Sequence, residues 1–171
     1  AGVAALMLSR NHSLHWTELK QIIMDETDYL ASLDGKTVLI TGGAKNLGGL
    51  ISRRFAEQGA KIAIHYNSAE TQADAEQTLA DVTAFGVDAV LIQADLTDID
   101  NIEKLFLDTK QHFGGIDIAI NTVGKVLKKS FLDTTEQEFD SMSDINSKIA
   151  YFFIQSAGRH LNDGGKICSI V

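Results

Sequence analysis

From residue 36 onward, short apolar runs alternate with longer stretches in which apolar residues recur at helical spacing. The apolar runs are KTVLIT, KIAIHY, DAVLIQADL, GIDIAINTVG and GGKICSIV. Between them lie NLGGLISRRFAEQG, SAETQADAEQTLADVTAFG, DIDNIEKLFLDTKQHFG and TEQEFDSMSDINSKIAYFFIQSAGRHL. Nearly continuous apolar runs of this length are typical of strands buried on both faces. The pattern therefore predicts five strands separated by four helical stretches.

Strands that alternate with helices predict a parallel sheet, because each parallel connection needs a crossover. Right-handed crossovers on both sides of the first strand give the order 3-2-1-4-5. Gly59, Gly86 and Gly114 each follow a helical run, where a left-handed residue closes a helix. Thr135 and Glu138 have the spacing of a capping box and start the last helix. We predict a doubly wound α/β domain over residues 34–171.

Residues 1–33 have a different pattern. The stretch LHWTELKQIIMDETDYLASL has helical apolar spacing, but no strand is attached to it. We predict a helical N-terminal extension over residues 1–33. The opening AGVAALML lacks a preceding basic region, which favours a helix start over a secretory signal.

The turn TGGAKNLGG, residues 41–49, joins the first predicted strand to the first predicted helix. Glycines let backbone N–H groups approach a phosphate closely, and the helix N-terminus adds partial positive charge. Between a strand and a helix, such a turn favours a bound pyrophosphate and hence a dinucleotide. The alternative is a turn that serves backbone geometry alone.

Four motifs, in chain order, resemble those of the short-chain dehydrogenase/reductase family. The first, TGGAKNLG, resembles the fingerprint TGxxxGxG, with Thr41, Gly42 and Gly48 matching. Asn46 stands in place of the middle glycine, a departure that the fingerprint tolerates if Asn46 adopts a left-handed backbone conformation, which asparagine does more easily than other non-glycine residues.

The other three motifs follow later strands and the last helix. ADLTD, with Asp95 and Leu96, resembles the family's adenine-side aspartate motif, and NTVG, residues 121–124, resembles NNAG. DINSKIAYFF contains Asn146, which matches the asparagine of the family's catalytic tetrad. Taken singly, Asp95 also fits a helix start, Asn121 a hydrogen-bonding residue at a strand end, and Asn146 an incidental polar residue. Their joint order favours the family and implies a Rossmann fold.

The type of nucleotide depends on the end of the second strand, where a carboxylate would bind the ribose 2′-hydroxyl of NAD and repel a 2′-phosphate. This chain has HYNS there, and its first carboxylate after the strand is Glu70. Lys45 in the turn adds a cation that suits a 2′-phosphate, although it also fits a solvated loop charge. We expect NADP rather than NAD. The predicted cofactor-binding residues are Thr41, Gly42, Lys45, Asn46, Leu47, Gly48, Tyr66, Asn67, Ser68, Asp95, Leu96, Asn121, Val123 and Gly124.

Composition and charge limit the classes of partner and ligand that we expect for this protein. A net charge of −8 argues against nucleic acid and against an anionic membrane. No apolar stretch approaches the ~20 residues of a membrane span. The five histidines lack metal-ligand spacing, so no metal site is expected. The single cysteine, Cys168, excludes an internal disulfide, fits a small core residue and indicates a reducing, cytoplasmic setting.

The residues that would carry the chemistry are not found in this chain. The family uses a tyrosine with a lysine four residues later, and none of Tyr29, Tyr66 and Tyr151 has one. The family's serine follows the fifth strand, and Ser169 comes too early. The chain has no proline, where about eight or nine would be usual, and the family's proline-containing loops follow the catalytic lysine. We interpret the chain as the cofactor-binding half of a longer enzyme, inactive by itself.

Two functions remain open. The first is an NADP-dependent oxidoreductase, a homo-oligomer in its complete form, that transfers a hydride between the nicotinamide and a carbonyl or alcohol. The second is a non-catalytic nucleotide-binding or regulatory module. A continuation that carries serine and Tyr-x-x-x-Lys would favour the first. Lys125, Lys128 and Lys129 fit either an acidic substrate or carrier protein, or a solvated loop.

Overall fold

The computed structural model describes residues 33–170, and a parallel sheet lies at the centre of this range. Its strands are β1 (Thr37–Thr41), β2 (Lys61–Tyr66), β3 (Ala89–Gln93), β4 (Ile118–Asn121) and β5 (Lys166–Ser169). The helices are α1 (Asn46–Glu57), α2 (Gln72–Thr83), α3 (Ile99–Phe113), α4 (Glu136–Ser143) and α5 (Ile149–His160). Two short 3-10 turns, Ala69–Thr71 and Phe131–Asp133, precede α2 and α4.

The strand order is β3-β2-β1-β4-β5, and all neighbouring pairs are parallel. β1 lies in the middle, with Val38 opposite Ile62 of β2 on one side and Ile118 of β4 on the other. The predicted doubly wound Rossmann fold and its strand order are confirmed.

The apolar runs become strands because both of their faces are covered. Leu39, on one face of β1, packs in a cluster with Phe106 of α3 and Phe153 of α5, whose ring centroids lie 5.3 Å apart. α1 and α2 contact the strands from the opposite face, where Val38 and Ile40 are fully buried. This arrangement fixes the sheet and presents the carboxyl ends of its strands at one edge.

The predicted helix ends are confirmed where they depend on glycine. Gly59, Gly86 and Gly114 have φ angles of 88°, 80° and 85°. The capping box is also present, since Thr135 Oγ1 accepts from Glu138 N and the Glu138 carboxylate accepts from Thr135 N.

The last predicted helix is present but is not α-helical throughout. A π-helical turn, Asp144–Lys148, separates α4 from α5. The hydrophobic pattern does not reveal it, because the extra residue falls in a mostly polar stretch, where few apolar positions record the shift in helical phase.

Two predictions concern the margins of the domain. Cys168 lies in a strand as expected, but it is exposed, so its assignment to the core is wrong. Within the described range β5 lies at the edge of the sheet, and Ile167, next to Cys168 in this strand, is also exposed. The predicted helical extension over residues 1–33 lies outside the described residues apart from Leu33. Over residues 33–170, none of the helices has the length and apolar character needed to cross a bilayer.

Candidate cofactor site

A groove of about 510 Å³ lies at the carboxyl ends of the first four strands. β1 sits between β2 and β4, so the loops leaving it to either side diverge and open a crevice at this switch point. Most of the predicted cofactor-binding residues line the groove, namely Gly42, Lys45, Asn46, Leu47, Gly48, Tyr66, Asn67, Asp95, Leu96, Val123 and Gly124. The fold thus brings the loops that carry these motifs, which are far apart in the chain, to one groove.

The glycine turn is packed too closely to accept side chains. A Cβ on Gly48 would overlap the carbonyl oxygen of Gly42 and lie 2.7 Å from Thr122 Oγ1. Gly42 has a φ of 66°, and Asn46 has a φ of 50°. Asn46 therefore adopts the left-handed conformation that its place in the fingerprint requires.

The N-terminus of α1 faces this groove without a cap. Lys45, at the N-cap, has extended backbone and its side chain makes no cap hydrogen bond, and over residues 33–170 no side chain accepts from the first turn, which carries no acidic residue. The first N–H groups of a helix have no acceptor inside it, and the helix dipole makes this end positive. Such an end is suited to an anionic group.

His65 lies beneath the turn and was not predicted from the sequence. Its Nδ1 accepts from Gly42 N at 3.1 Å, and its Nε2 lies 2.9 Å from the carbonyl oxygen of Ala94, to which it donates. The side chain is buried, and this burial lowers its pKa to about 4. The imidazole is therefore neutral at pH 7. A polar residue within the otherwise apolar run KIAIHY is the signal that could have identified it.

At the end of β2, Tyr66 and Asn67 line the groove and Ser68 does not. Ser68 instead forms a capping box with Thr71 at the start of the 3-10 turn, in which Ser68 N donates to Thr71 Oγ1 at 3.3 Å. Lys45 Nζ lies 3.1 Å from Asp74 Oδ2, and both side chains are half exposed. The lysine of the turn is thus ion-paired at the groove, with a partner that sequence reasoning missed.

At the end of β3, Asp95 forms a tight turn with Thr97. Asp95 Oδ1 accepts from Thr97 Oγ1 at 2.7 Å and from Thr97 N at 3.0 Å. The hydroxyl of Thr97 is the main cause that lowers the pKa of Asp95 below its usual range. Asp95 lines the groove and precedes α3, whose N-cap is Asp98. Asp95 thus lies at the groove, as an adenine-side aspartate would, and also close to the start of a helix, as the alternative interpretation expects.

Thr41 and Asn121 lie below the groove rather than along it. Asn121 Oδ1 accepts from Thr41 Oγ1 at 2.6 Å and from Val123 N at 3.2 Å. Its Nδ2 donates to Ser169 Oγ at 3.1 Å. Asn121 is fully buried and connects the ends of three strands. The contacts of Asn121 are thus those of a hydrogen-bonding residue at a strand end, which is the alternative that the sequence left open.

Asn146 lies in the π-helical turn and its amide faces the loop after β4. Its Oδ1 accepts from Lys125 N at 2.8 Å, and its Nδ2 donates to the Lys125 carbonyl at 2.9 Å. Ile145 and Ile149, at and after this turn, line the groove, while Asn146 itself does not. The amide therefore anchors the loop that carries Val123 and Gly124.

The groove is also lined by residues that were not among the predicted cofactor-binding residues. These are Ala44, His65, Thr71, Thr97, Thr122, Lys125, Ile145 and Ile149. Among the described residues, no group of three histidine, cysteine or carboxylate side chains could hold a metal ion. Of the loop lysines, Lys129 forms an ion pair with Glu138 at 2.8 Å.

Comparison with known proteins places this geometry in a family. A family model described as Enoyl-(Acyl carrier protein) reductase matches residues 42–171. A curated protein of Claviceps purpurea named "Short chain dehydrogenase" is 38% identical over 145 residues, 84% of this chain and 54% of that protein. The chain belongs to the short-chain dehydrogenase/reductase family. Versicolorin reductase 1 of Aspergillus parasiticus, 36% identical over 79% of this chain and 51% of its own length, is a further relative.

Solved structures of family members share the fold. A dehydrogenase from Burkholderia cenocepacia, described as putative and solved with bound NADP, is 60% identical with a TM-score of 0.79. The similarity covers 82% of this chain and 53% of that one. A short-chain dehydrogenase from Oenococcus oeni is 42% identical with a TM-score of 0.73, covering 81% of this chain and 62% of that one. The present chain spans about half the length of the curated relatives it matches.

Proposed function

We propose that the full-length protein is an NADP-dependent oxidoreductase that transfers a hydride between the nicotinamide and a small-molecule carbonyl or alcohol. The observation that carries this proposal is the groove formed by a glycine turn, an uncapped helix N-terminus and the ends of β2, β3 and β4. Bound NADP in the B. cenocepacia relative supports the choice of cofactor. Membership of a family of dehydrogenases and reductases supports the reaction class.

The residues at the groove fit the charge pattern of NADP. Its pyrophosphate suits the N–H groups at the start of α1, where Gly48 leaves room for close approach. Its 2′-phosphate suits Lys45, with Tyr66 and Asn67 beside it and no carboxylate at the end of β2. Asp74 holds Lys45 at the rim, so a 2′-phosphate would share this cation with the carboxylate.

When bound, the nicotinamide supplies or accepts the hydride. The residues of this chain bind and orient: Asp95 and Leu96 on the adenine side, and Val123 and Gly124 towards the other end of the groove. Asn146 positions the loop after β4 through its two hydrogen bonds to Lys125. In the family that the chain resembles, a serine and Tyr-x-x-x-Lys orient the substrate and move the proton. We propose that these lie in the polypeptide beyond the present chain, so that the 171-residue chain alone reduces no carbonyl.

Cofactor preference tests this proposal. The full-length protein is expected to bind NADPH at least about five-fold more tightly than NADH in a fluorescence or calorimetric titration, because two charges face Lys45 in one and none in the other. Lys45→Ala should remove this preference. Lys104→Ala is the matched control, since Lys104 also pairs with an aspartate at 3.1 Å but lies on α3. Equal affinity for NADPH and NADH, or unchanged NADPH affinity in Lys45→Ala, would overturn the assignment.

The alternative is a non-catalytic nucleotide-binding or regulatory module, favoured by the lack of Tyr-x-x-x-Lys in this chain. NADPH binding without NADPH oxidation by any of a panel of ketones, in the full-length protein, would support this alternative. We further propose a cytoplasmic homo-oligomer in which residues 1–33 form an extension before the domain. Neither nucleic acid nor a metal has a role in this proposal.

A further inference from the structure

Two of the loops that form the groove are connected by one buried side chain, His65. Its imidazole accepts from the N–H of Gly42 in the turn after β1 and donates to the carbonyl oxygen of Ala94 in the loop after β3. Gly42 begins the glycine turn, and Ala94 directly precedes Asp95. The histidine therefore spans the two sides of the groove that would hold the pyrophosphate and the adenine.

Backbone hydrogen bonds at the same place do not replace the imidazole. Gly43 N donates to the His65 carbonyl, and Ala94 N donates to the Tyr66 carbonyl. The side chain satisfies the two complementary groups, the N–H of Gly42 and the carbonyl oxygen of Ala94. Only 2% of His65 is exposed, so water has little access to these groups when the imidazole is removed. A buried N–H or C=O without a partner is unfavourable, and the loop that carries it shifts to find one.

Gly42 has little freedom to shift without affecting the site. Its carbonyl oxygen lies against Gly48, and a side chain on Gly42 would come within 2.9 Å of Thr122 Oγ1. Movement of Gly42 therefore changes the approach of the turn to α1, where N–H groups are open to the groove.

We propose that His65 is a positioning residue for the dinucleotide, which holds the glycine turn and the adenine-side loop at the spacing that the cofactor requires. This inference rests on the proposed function, since it concerns the same groove. The imidazole acts in its neutral form with the proton on Nε2, because Nδ1 must accept from Gly42. It contacts no reacting atom, so it sets cofactor affinity rather than the rate of hydride transfer.

Two conservative variants separate the two hydrogen bonds. The Oδ1 of asparagine can occupy the place of Nδ1 and accept from Gly42, whereas the Nε2 of glutamine can occupy the place of the histidine Nε2 and donate to Ala94. His65→Leu fills the volume and makes neither bond. In the full-length protein we expect His65→Leu to weaken NADPH binding at least ten-fold, and His65→Asn to stay within about three-fold of wild type. His65→Gln should lie between them.

A readout of catalysis and a matched control distinguish positioning from general destabilisation. KM for NADPH should rise with the dissociation constant while kcat at saturating cofactor changes less than about three-fold. Thr109→Val is the control, because Thr109 is fully buried in α3 and its hydroxyl donates to Leu105 O, away from the groove. It should lower the midpoint of unfolding and leave NADPH affinity unchanged.

The outcomes separate the two proposals. If wild-type protein binds neither NADPH nor NADH, the proposed function fails and the role of His65 fails with it. If wild type binds NADPH and folded His65→Leu binds it equally well, only the positioning role is overturned. If His65→Leu does not fold, His65→Asn and His65→Gln decide: tighter binding by the asparagine variant supports the proposal, and equal binding by the two overturns it.

Discussion

The junctions β1–α1 and β3–α3 both lead from a strand into a helix at the groove edge of the sheet, but their helix N-termini differ. At α3, Asp98 is the N-cap and its Oδ1 accepts from Asp100 N at 3.1 Å, and Asp100 adds a negative charge to the first turn. At α1, the N-cap is Lys45, without a side-chain acceptor and with no acidic residue in the first turn. One junction satisfies its own N–H groups, and the other leaves them open.

The two N-termini are therefore suited to different roles, that of α3 to helix stability and that of α1 to anion binding. An N-cap side chain contributes about 1 kcal/mol to helix stability, and an uncapped helix lacks this contribution. α4 follows α3 in this respect, since Thr135 and Glu138 form a capping box. Among these three helices, the uncapped one begins with a glycine turn at the groove. Its open N–H groups are consistent with a phosphate that acts as the missing cap.

Of the variants that test this comparison, Gly48→Ala should have the largest effect on NADPH affinity and on stability. The added Cβ overlaps the Gly42 carbonyl, so the turn must move, and we expect NADPH affinity to fall about 100-fold with a loss of about 3 kcal/mol in unfolding free energy. Gly158→Ala in α5, where a Cβ meets nothing within 4 Å, is the matched control. Titration and denaturant unfolding measure both quantities. A folded Gly48→Ala protein with normal NADPH affinity would argue against a close approach of the pyrophosphate.

Acid should lower the stability of the protein in two separate pH windows, one set by His65 beneath the turn after β1 and the other by Asp95 after β3. His65 has a folded-state pKa of about 4, below its unfolded value of 6.5, so the unfolded state binds the extra proton and stability falls as pH decreases through this range. The loss should reach about 2 kcal/mol at pH 5. Asp95, with its pKa lowered by Thr97, stabilises above its unfolded value of 3.8, and that contribution is lost only as pH falls below it.

Denaturant unfolding between pH 7 and pH 3 measures these windows, and His65→Asn is the control that removes the upper one. A wild-type curve that stays flat between pH 6.5 and pH 4.5 would contradict a neutral, buried His65.

Asp98→Ala should affect stability without affecting binding. Removal of the cap leaves an N–H of α3 without its side-chain acceptor and should lower the unfolding free energy by about 1 kcal/mol. NADPH affinity should remain within about two-fold of wild type, because Asp98 does not line the groove. A fall in affinity comparable to that of Lys45→Ala would show that the two junctions do not act separately.

Asn46→Gly should have the smallest effect. Asn46 already has a φ of 50°, a conformation that glycine adopts without strain, so stability should change by less than about 0.5 kcal/mol. NADPH affinity should be nearly unchanged. Asn46→Val is the contrasting variant, since a β-branched residue is strained at this φ and should weaken both. Equal behaviour of the two variants would remove the backbone explanation for Asn46.

Predictions that depend on neighbouring residues agree with the structure. The left-handed Asn46, the capping box of Thr135 and Glu138, and the glycine-terminated helices follow from steric rules that act over a few residues. The strand order was also predictable, because crossover handedness restricts how such a series of elements can assemble. Three of the four motifs, TGGAKNLG, ADLTD and NTVG, located most of the groove, since each lies at the carboxyl end of a strand.

Predictions that depend on distant partners were incomplete. Ser68 was expected at the cofactor but forms a local capping box, and Asn121 lies under the groove among hydrogen bonds to other strands. The ion pair of Lys45 with Asp74 joins the glycine turn to α2, and neither hydrophobic periodicity nor a motif describes such a pair.

The sequence by itself therefore determined the order of strands and helices, the family, and the place of the glycine turn, because these depend on short-range sterics and on the alternation of apolar segments. Only the tertiary structure decided which polar groups meet. His65 contacts Gly42 and Ala94, which lie 23 and 29 residues away in the chain. Such contacts exist only after β1, β2 and β3 have paired in register, since the sheet is what brings their carboxyl ends to one edge.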